Sequence, residues 1–247
     1  MTVGGTARGT RVEALDWDDF CDWFGSVWKP GEHVSLVTPT GGGKTTLAVG
    51  LLELRRYVGV ISPKGLDSTL GALKLRRLLD WPGDARMTKV LEEDGKKGRA
   101  SRYLFGRDVE TYKKDWPELV PVYERCLQGM FRMRGWTCYV DDLKLLVDMK
   151  LGGDATKWLI SARSRGLTFV SAFQFPRRVI RTALDEPTWI FASQTRDATV
   201  IDRTAEVLGR PKAEIRGMME RVERFSWLCV GRDSTAPVVL TIPPKRS

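Results

Sequence analysis

The stretch His33-Val34-Ser35-Leu36-Val37-Thr38-Pro39-Thr40-Gly41-Gly42-Gly43-Lys44-Thr45-Thr46-Leu47 decides how the rest of the chain is read. His33 to Val37 is a short apolar run of the kind that forms a buried strand. It leads through three successive glycines to Lys-Thr, and residues 45–57 then carry Leu47, Leu51 and Leu54 on one helical stripe. Strand, glycine loop and helix is the context in which a Gly-Lys-Thr pattern cradles phosphates. Glycines let the backbone curl until several N–H groups converge on one anion, and the helix that follows points its positive end at the same place. Thr38, Pro39, Thr40, Gly41, Gly42, Gly43, Lys44, Thr45 and Thr46 are therefore expected to hold the phosphates of ATP. Lys44 is expected to reach the β- and γ-phosphates, and the Thr45 hydroxyl to ligate Mg²⁺. Thr38 stands where the usual pattern has its first glycine, and nothing in the sequence accounts for it.

A magnesium ion bound there needs a second anchor, a carboxylate at the end of a neighbouring buried strand. Trp136-Thr137-Cys138-Tyr139-Val140-Asp141-Asp142 supplies it. Asp141 is the expected metal ligand, and Asp142 the group that polarises an attacking water. The same pair would also arise as a strand-ending Asp-Asp turn. Gln174 closes the next apolar run, Leu167–Phe173, where an amide would lie between water and γ-phosphate, unless it is simply a polar loop residue. Arg163 and Arg165 precede that run. They read either as arginines drawn to a helix C-terminus or as a finger inserted into a neighbouring subunit's phosphate site, where such a residue accelerates hydrolysis by ~10³–10⁵.

Outward from the site, apolar periodicity predicts helices over 17–28, 68–79, 117–133, 154–165, 198–208 and 211–224. Strands are expected at 57–61, 103–105, 136–140, 167–173 and 189–193, with a closing hairpin at 226–230 and 237–242. Residues 1–11 read as a flexible leader and 92–100 as a loop. Strands that alternate with helices mean a mostly parallel sheet wrapped on both faces. The domain reading is a leader and short helix over 1–28, then one domain over 29–247 with room for a small insert within 66–116.

Composition narrows the classes. The chain has 247 residues, 40 Lys and Arg against 31 Asp and Glu, and a formal charge of +9, a balance that suits a polyanionic partner. Basic clusters occur at Lys96-Lys97-Gly98-Arg99, at Arg177-Arg178 with Arg181, and at Lys245-Arg246. Four scattered cysteines without Cys-x-x-Cys spacing argue against a zinc site or a disulfide frame. The single histidine, His33, leaves no histidine-based nucleophile and reads as structural. No apolar stretch approaches the ~20 residues that span a bilayer, and no signal peptide is evident, so the expected location is the cytoplasm.

Taken together these segments resemble the FtsK–HerA superfamily of ring-forming, DNA-pumping ATPases. The resemblance covers roughly residues 30–210. It is carried by TPTGGGKTT, by VGVISPKG with Ser62 in the position of an Asp, by the strand ending in Asp141-Asp142, and by RSRGLTFVSAFQFPRRV followed by IFASQTRDATVIDRTAEVLG. It implies a P-loop NTPase (RecA-like) three-layer α/β sandwich with a mostly parallel central sheet and a C-terminal β-hairpin. It also implies ATP and Mg²⁺ at Lys44, Thr45, Asp141 and Asp142, Gln174 as a sensor, and Arg163 nearest the finger position with Arg165 next. The partners it implies are double-stranded DNA, further copies of the chain in a hexameric ring, and a capsid or membrane protein. Gln-Phe-Pro and Asp142 depart from the family's commoner Gln-Arg-Pro and Glu. Two other readings stay open: an ATPase that energises protein export or virion extrusion, and a small-molecule or nucleotide kinase.

Overall fold

A computed structural model describes residues 13–64, 68–109, 114–174, 181–195, 198–232 and 238–241. The leader, most of the segment 175–181 and Lys245-Arg246 lie outside the described residues.

The chain opens with strand β1 (Glu13–Leu15) and helix α1 (Trp17–Val27), which Asp16 caps by accepting from the Asp19 N–H at 2.9 Å. Strand β2 (Val34–Val37) feeds the glycine loop and helix α2 (Lys44–Glu53), and β3 (Tyr57–Ile61) follows. Next come α3 (Ser68–Gly71), β4 (Arg76–Leu78), α4 (Asp84–Lys96), β5 (Ser101–Phe105) and α5 (Trp116–Met133). The second half holds β6 (Thr137–Val140), α6 (Leu143–Asp148), α7 (Gly152–Ser161), a 3₁₀ turn at Arg163–Arg165 and β7 (Thr168–Phe173). It ends with α8 (Thr182–Asp185), β8 (Trp189–Ser193), α9 (Ala198–Leu208), α10 (Lys212–Arg221), β9 (Ser226–Gly231) and β10 (Val238–Thr241).

Among the described residues, ten strands form one sheet in the order β1-β10-β9-β8-β2-β7-β6-β3-β5-β4. From β8 to β4 the pairings are parallel, while β9 runs antiparallel to both β8 and β10, which makes the expected hairpin. Period-2 alternation along the central strands sorts their side chains onto two faces. Val34, Leu36, Val58, Val60, Tyr139, Val170 and Ala172 pack with α1, α2 and α3. Ile61, Cys138, Val140, Phe169 and Phe173 pack with α5, α6 and α7 on the other face. Helices α9 and α10 cover Ala192, Leu228 and Val230. The result is the three-layer α/β sandwich that the sequence led us to expect.

Helix α1 is bound into this core by its aromatic stripe. Phe24 lies edge-on to Trp189 and Phe191 at 5.2 and 5.4 Å, and the Arg55 guanidinium sits 3.6 Å over the Trp28 ring.

Three local expectations need correction. Residues 68–79 are not one helix. After Gly71 the turns tighten to i→i+3 bonds, Lys74 takes φ 50, and β4 pairs with β5 instead. Only the second half of 92–100 is a loop, because α4 runs to Lys96; its only fully buried residues are Met87 and the charged Asp94, so it carries too thin an apolar stripe to be seen. Helix α6, which was not expected, is capped by Asp142.

Candidate nucleotide-binding site

The parallel strands deliver their C-terminal ends to one edge of the sheet, which is where open α/β sheets bind ligands. Thr38 to Gly43 follow β2 there, with Lys64 after β3, Asp141 and Asp142 after β6, Gln174 after β7 and Gln194 after β8.

In the glycine loop, Gly41 has φ 77 and Gly43 φ 86, left-handed values that a side chain would strain. Gly43 is the N-terminal cap residue of α2, which has no side-chain cap; its leading N–H groups therefore depend on a ligand or water. Thr38 is buried, and its hydroxyl is hydrogen-bonded to the Ser193 hydroxyl on β8. A Cβ on Gly42 would overlap that Thr38 Oγ1. The residue that departs from the usual pattern thus fills space inside the loop and ties it to the neighbouring strand.

Lys44 folds back over its own loop, with Nζ 3.4 Å from the Thr38 carbonyl and 3.5 Å from that of Pro39. Both contacts exceed the ~2.7–3.2 Å of a well-formed hydrogen bond. Burial lowers the Lys44 pKa, and the nearby Lys64 charge lowers it further, against the opposing pull of Asp141 and Asp142. An anion on the loop would reverse that penalty. The Thr40 hydroxyl donates to Gln174 Oε1 at 2.9 Å, linking loop and β7.

The two aspartates are engaged differently. Asp141 is buried; its Oδ1 accepts from the Tyr139 hydroxyl at 2.8 Å and lies 3.4 Å from the Thr45 hydroxyl. Asp142 is partly buried, caps α6 by accepting from the Lys144 N–H at 3.2 Å, and pairs with Lys64 Nζ at 2.9 Å. Lys64 and Tyr139 were not singled out in the sequence. Tyr139 lies two residues before Asp141 on the same strand face, a signal that was available. Lys64 becomes visible only once β3 is known to lie beside β6.

Arg163 and Arg165 are not part of this cluster. Their turn precedes β7, and the Arg163 carbonyl packs against Gly31 at the entry to β2. The Arg165 guanidinium lies 4.8 Å over the Phe131 ring. The six residues of β7 separate this turn from Gln174, about 20 Å at strand rise.

The donor set suits Mg²⁺. A hydroxyl and a carboxylate 3.4 Å apart are hard oxygen donors that a small dication takes together with water and phosphate oxygens. Among the described residues no helix is long and apolar enough to cross a membrane.

No protein-family profile and no curated protein sequence matches the chain. Solved structures do. The genome packaging NTPase B204 of Sulfolobus turreted icosahedral virus 2, in complex with sulfate, superimposes with a TM-score of 0.60 at 13% identity over 88% of this chain and 99% of its own. The same NTPase with AMPPCP gives 0.59 at 11%, covering 88% and 100%. VirB4 of Thermoanaerobacter pseudethanolicus gives 0.56 at 13%, covering 86% and 89%. The chain therefore shares the α/β fold of these P-loop NTPases.

Proposed function

We propose that this chain is a Mg²⁺-dependent ATPase that works as a homo-oligomeric ring and moves double-stranded DNA. One observation carries the reading: Lys44, Thr45, Lys64, Asp141, Asp142 and Gln174 arrive from four different strands or loops at one sheet edge around the glycine loop.

In this reading the loop N–H groups and Lys44 bind the triphosphate, with Thr38 and Ser193 bracing the loop. Thr45 and Asp141 would hold Mg²⁺, which when bound supplies positive charge to the phosphate oxygens. Asp142 is the group that orients and deprotonates the attacking water, and Lys64, paired with it at 2.9 Å, holds its carboxylate in place. Gln174, already bonded to Thr40, reports the state of the γ-phosphate to β7. Arg163 and Arg165 lie a strand length from their own chain's loop, so either acts as a finger only on another subunit's phosphate, the arrangement a ring provides. The charge of +9 supports tracking along a phosphate backbone, and genome packaging by a structural neighbour supports DNA as the cargo.

The test is ATP hydrolysis with and without duplex DNA across salt, alongside mass photometry with ATP and DNA. Stimulation that falls steeply with salt, in a ring, is expected. Mixing Arg163→Ala with Asp142→Asn protein should restore activity at shared interfaces. Monomers that gain nothing on mixing sink the ring. Indifference to every duplex, together with co-purification of a coat or membrane protein, replaces DNA by export or extrusion as the work done.

A further inference from the structure

Phe225 occupies a position that its residue type does not favour. The Ser226 N–H donates to the Glu223 carbonyl at 3.0 Å and closes a four-residue turn with Phe225 third, at φ 67. That is where a turn ordinarily takes glycine or asparagine, and a bulky side chain there is strained. The ring gains no burial in return, because the residue is 46% exposed. Strain held without packing is a mark of function.

Its place in the fold indicates which function. A Cβ built on Gly43 would lie 3.9 Å from Phe225 Cδ1, so the ring stands against the glycine loop itself. In the sheet order, β8 and β9 lie on one side of β2, and β7 and β6 on the other. A triphosphate whose γ end faces Asp141 and Asp142 beyond β6 points its nucleoside towards β8 and β9, where Phe225 opens β9. Ser193 at the end of β8 pairs with Trp227, so Gln194 and Thr195 leave β8 beside the turn in which Phe225 precedes β9. Thr195 and Gln194 line a cavity of about 340 Å³ with Ile201, Arg216, Met219 and Glu220. That volume is in the range of small-molecule sites, and the lining sets Ile201 and Met219 among polar and charged side chains that could engage a base edge. The Arg224 guanidinium lies 4.8 Å over the Phe225 ring and engages one of its faces.

We infer that Phe225 is the stacking platform for the purine base of the bound nucleotide, with the Gln194–Glu220 cavity receiving the base edge. The inference rests on reading the glycine loop as an ATP site. It adds a determinant of base selection that lies outside the phosphate chemistry.

Calorimetric titration with ATP and with inorganic tripolyphosphate separates the two. Phe225→Gly, which relieves the turn, should lower ATP affinity about tenfold or more. Tripolyphosphate affinity and melting temperature should hold or rise. Phe225→Trp should retain ATP affinity. Equal weakening of both ligands, or of neither, overturns the platform. Wild-type affinity for both ligands in Lys44→Ala overturns the phosphate site itself, and the platform with it.

Discussion

Asp94 and Asp142 are both carboxylates beside basic side chains, yet their surroundings differ throughout. Asp94 is 1% exposed and accepts from Arg76, from Arg99 Nε at 3.0 Å, from Ser101 Oγ at 2.8 Å and from the Tyr103 hydroxyl at 2.8 Å. Four donors meet the four acceptor positions that a carboxylate offers. Burial pushes the Asp94 pKa up, but the hydrogen bonds from Arg76, Ser101 and Tyr103 outweigh it and hold it at about 2. Around Asp142 the geometry is loose. Lys64 is 42% exposed, and the half-buried cation next to it, Lys44, lies 3.4 and 3.5 Å from backbone carbonyls. A polar cluster that closes on itself stabilises a fold. One that leaves donors at long range has binding capacity to give an incoming anion.

The largest effects should divide along that line. Lys44→Ala should reduce ATP turnover by at least about a hundredfold. Stability should be unchanged or slightly raised, because burial disfavours the charged lysine in the folded state. Asp94→Asn should do the reverse: leaving Arg76 and Arg99 without a counter-charge should destabilise by about 2–4 kcal/mol, with turnover per folded molecule intact. Denaturant melts paired with phosphate-release assays on both variants test this. An unfolded Lys44→Ala protein, or a stable but inactive Asp94→Asn protein, breaks the contrast.

Lys64→Met sharpens it from inside the site. The Lys64–Asp142 pair is solvated enough to be worth ~0–1 kcal/mol in stability. If Lys64 positions Asp142, kcat should nonetheless fall by about ten- to a hundredfold. A melting curve that moves while kcat does not would place Lys64 with the structural pairs.

The two clusters were not equally legible in the sequence. Lys44, Thr45, Asp141 and Asp142 lie on local patterns, a glycine loop and a strand-ending acid pair, whose spacing marks them as one candidate site. The Asp94 cluster joins β4, α4 and β5, and nothing local marks a single acid on a charged helix as an anchor. The same deficit hid α4 and the true course of 68–79, where tertiary pairing of β4 overrides helical periodicity. Alternating apolar strands made the parallel sheet and its hairpin readable, whereas β1 is too short and too exposed to announce itself. Thr38 looked anomalous only because its partner, Ser193, is 155 residues away in the chain. Phe225 left no trace, because a left-handed φ on a phenylalanine has no sequence signature.

The smallest effect lies at the opposite edge of the sheet, where His33 enters β2. His33 is buried, and its Nδ1 accepts from the Phe169 N–H at 3.0 Å, a bond that requires that nitrogen unprotonated. Burial lowers its pKa to about 4, with the Arg163 charge pushing the same way. An unfolded histidine titrates near 6.5. Below that value the unfolded chain binds a proton that the folded chain refuses, so stability is full above about pH 6.5 and is lost as the pH falls towards 4. Between pH 7.5 and pH 6 the loss should be about 1 kcal/mol. The Asp94 carboxyl, titrating near 2, contributes nothing in that window. His33→Asn, whose amide oxygen can accept from Phe169, should flatten the slope of unfolding free energy against pH and leave turnover at pH 7.5 unaltered. A slope that persists in the variant assigns the acid sensitivity to another group. A turnover that collapses with it would mean that this edge, and not only the glycine-loop edge, takes part in the chemistry.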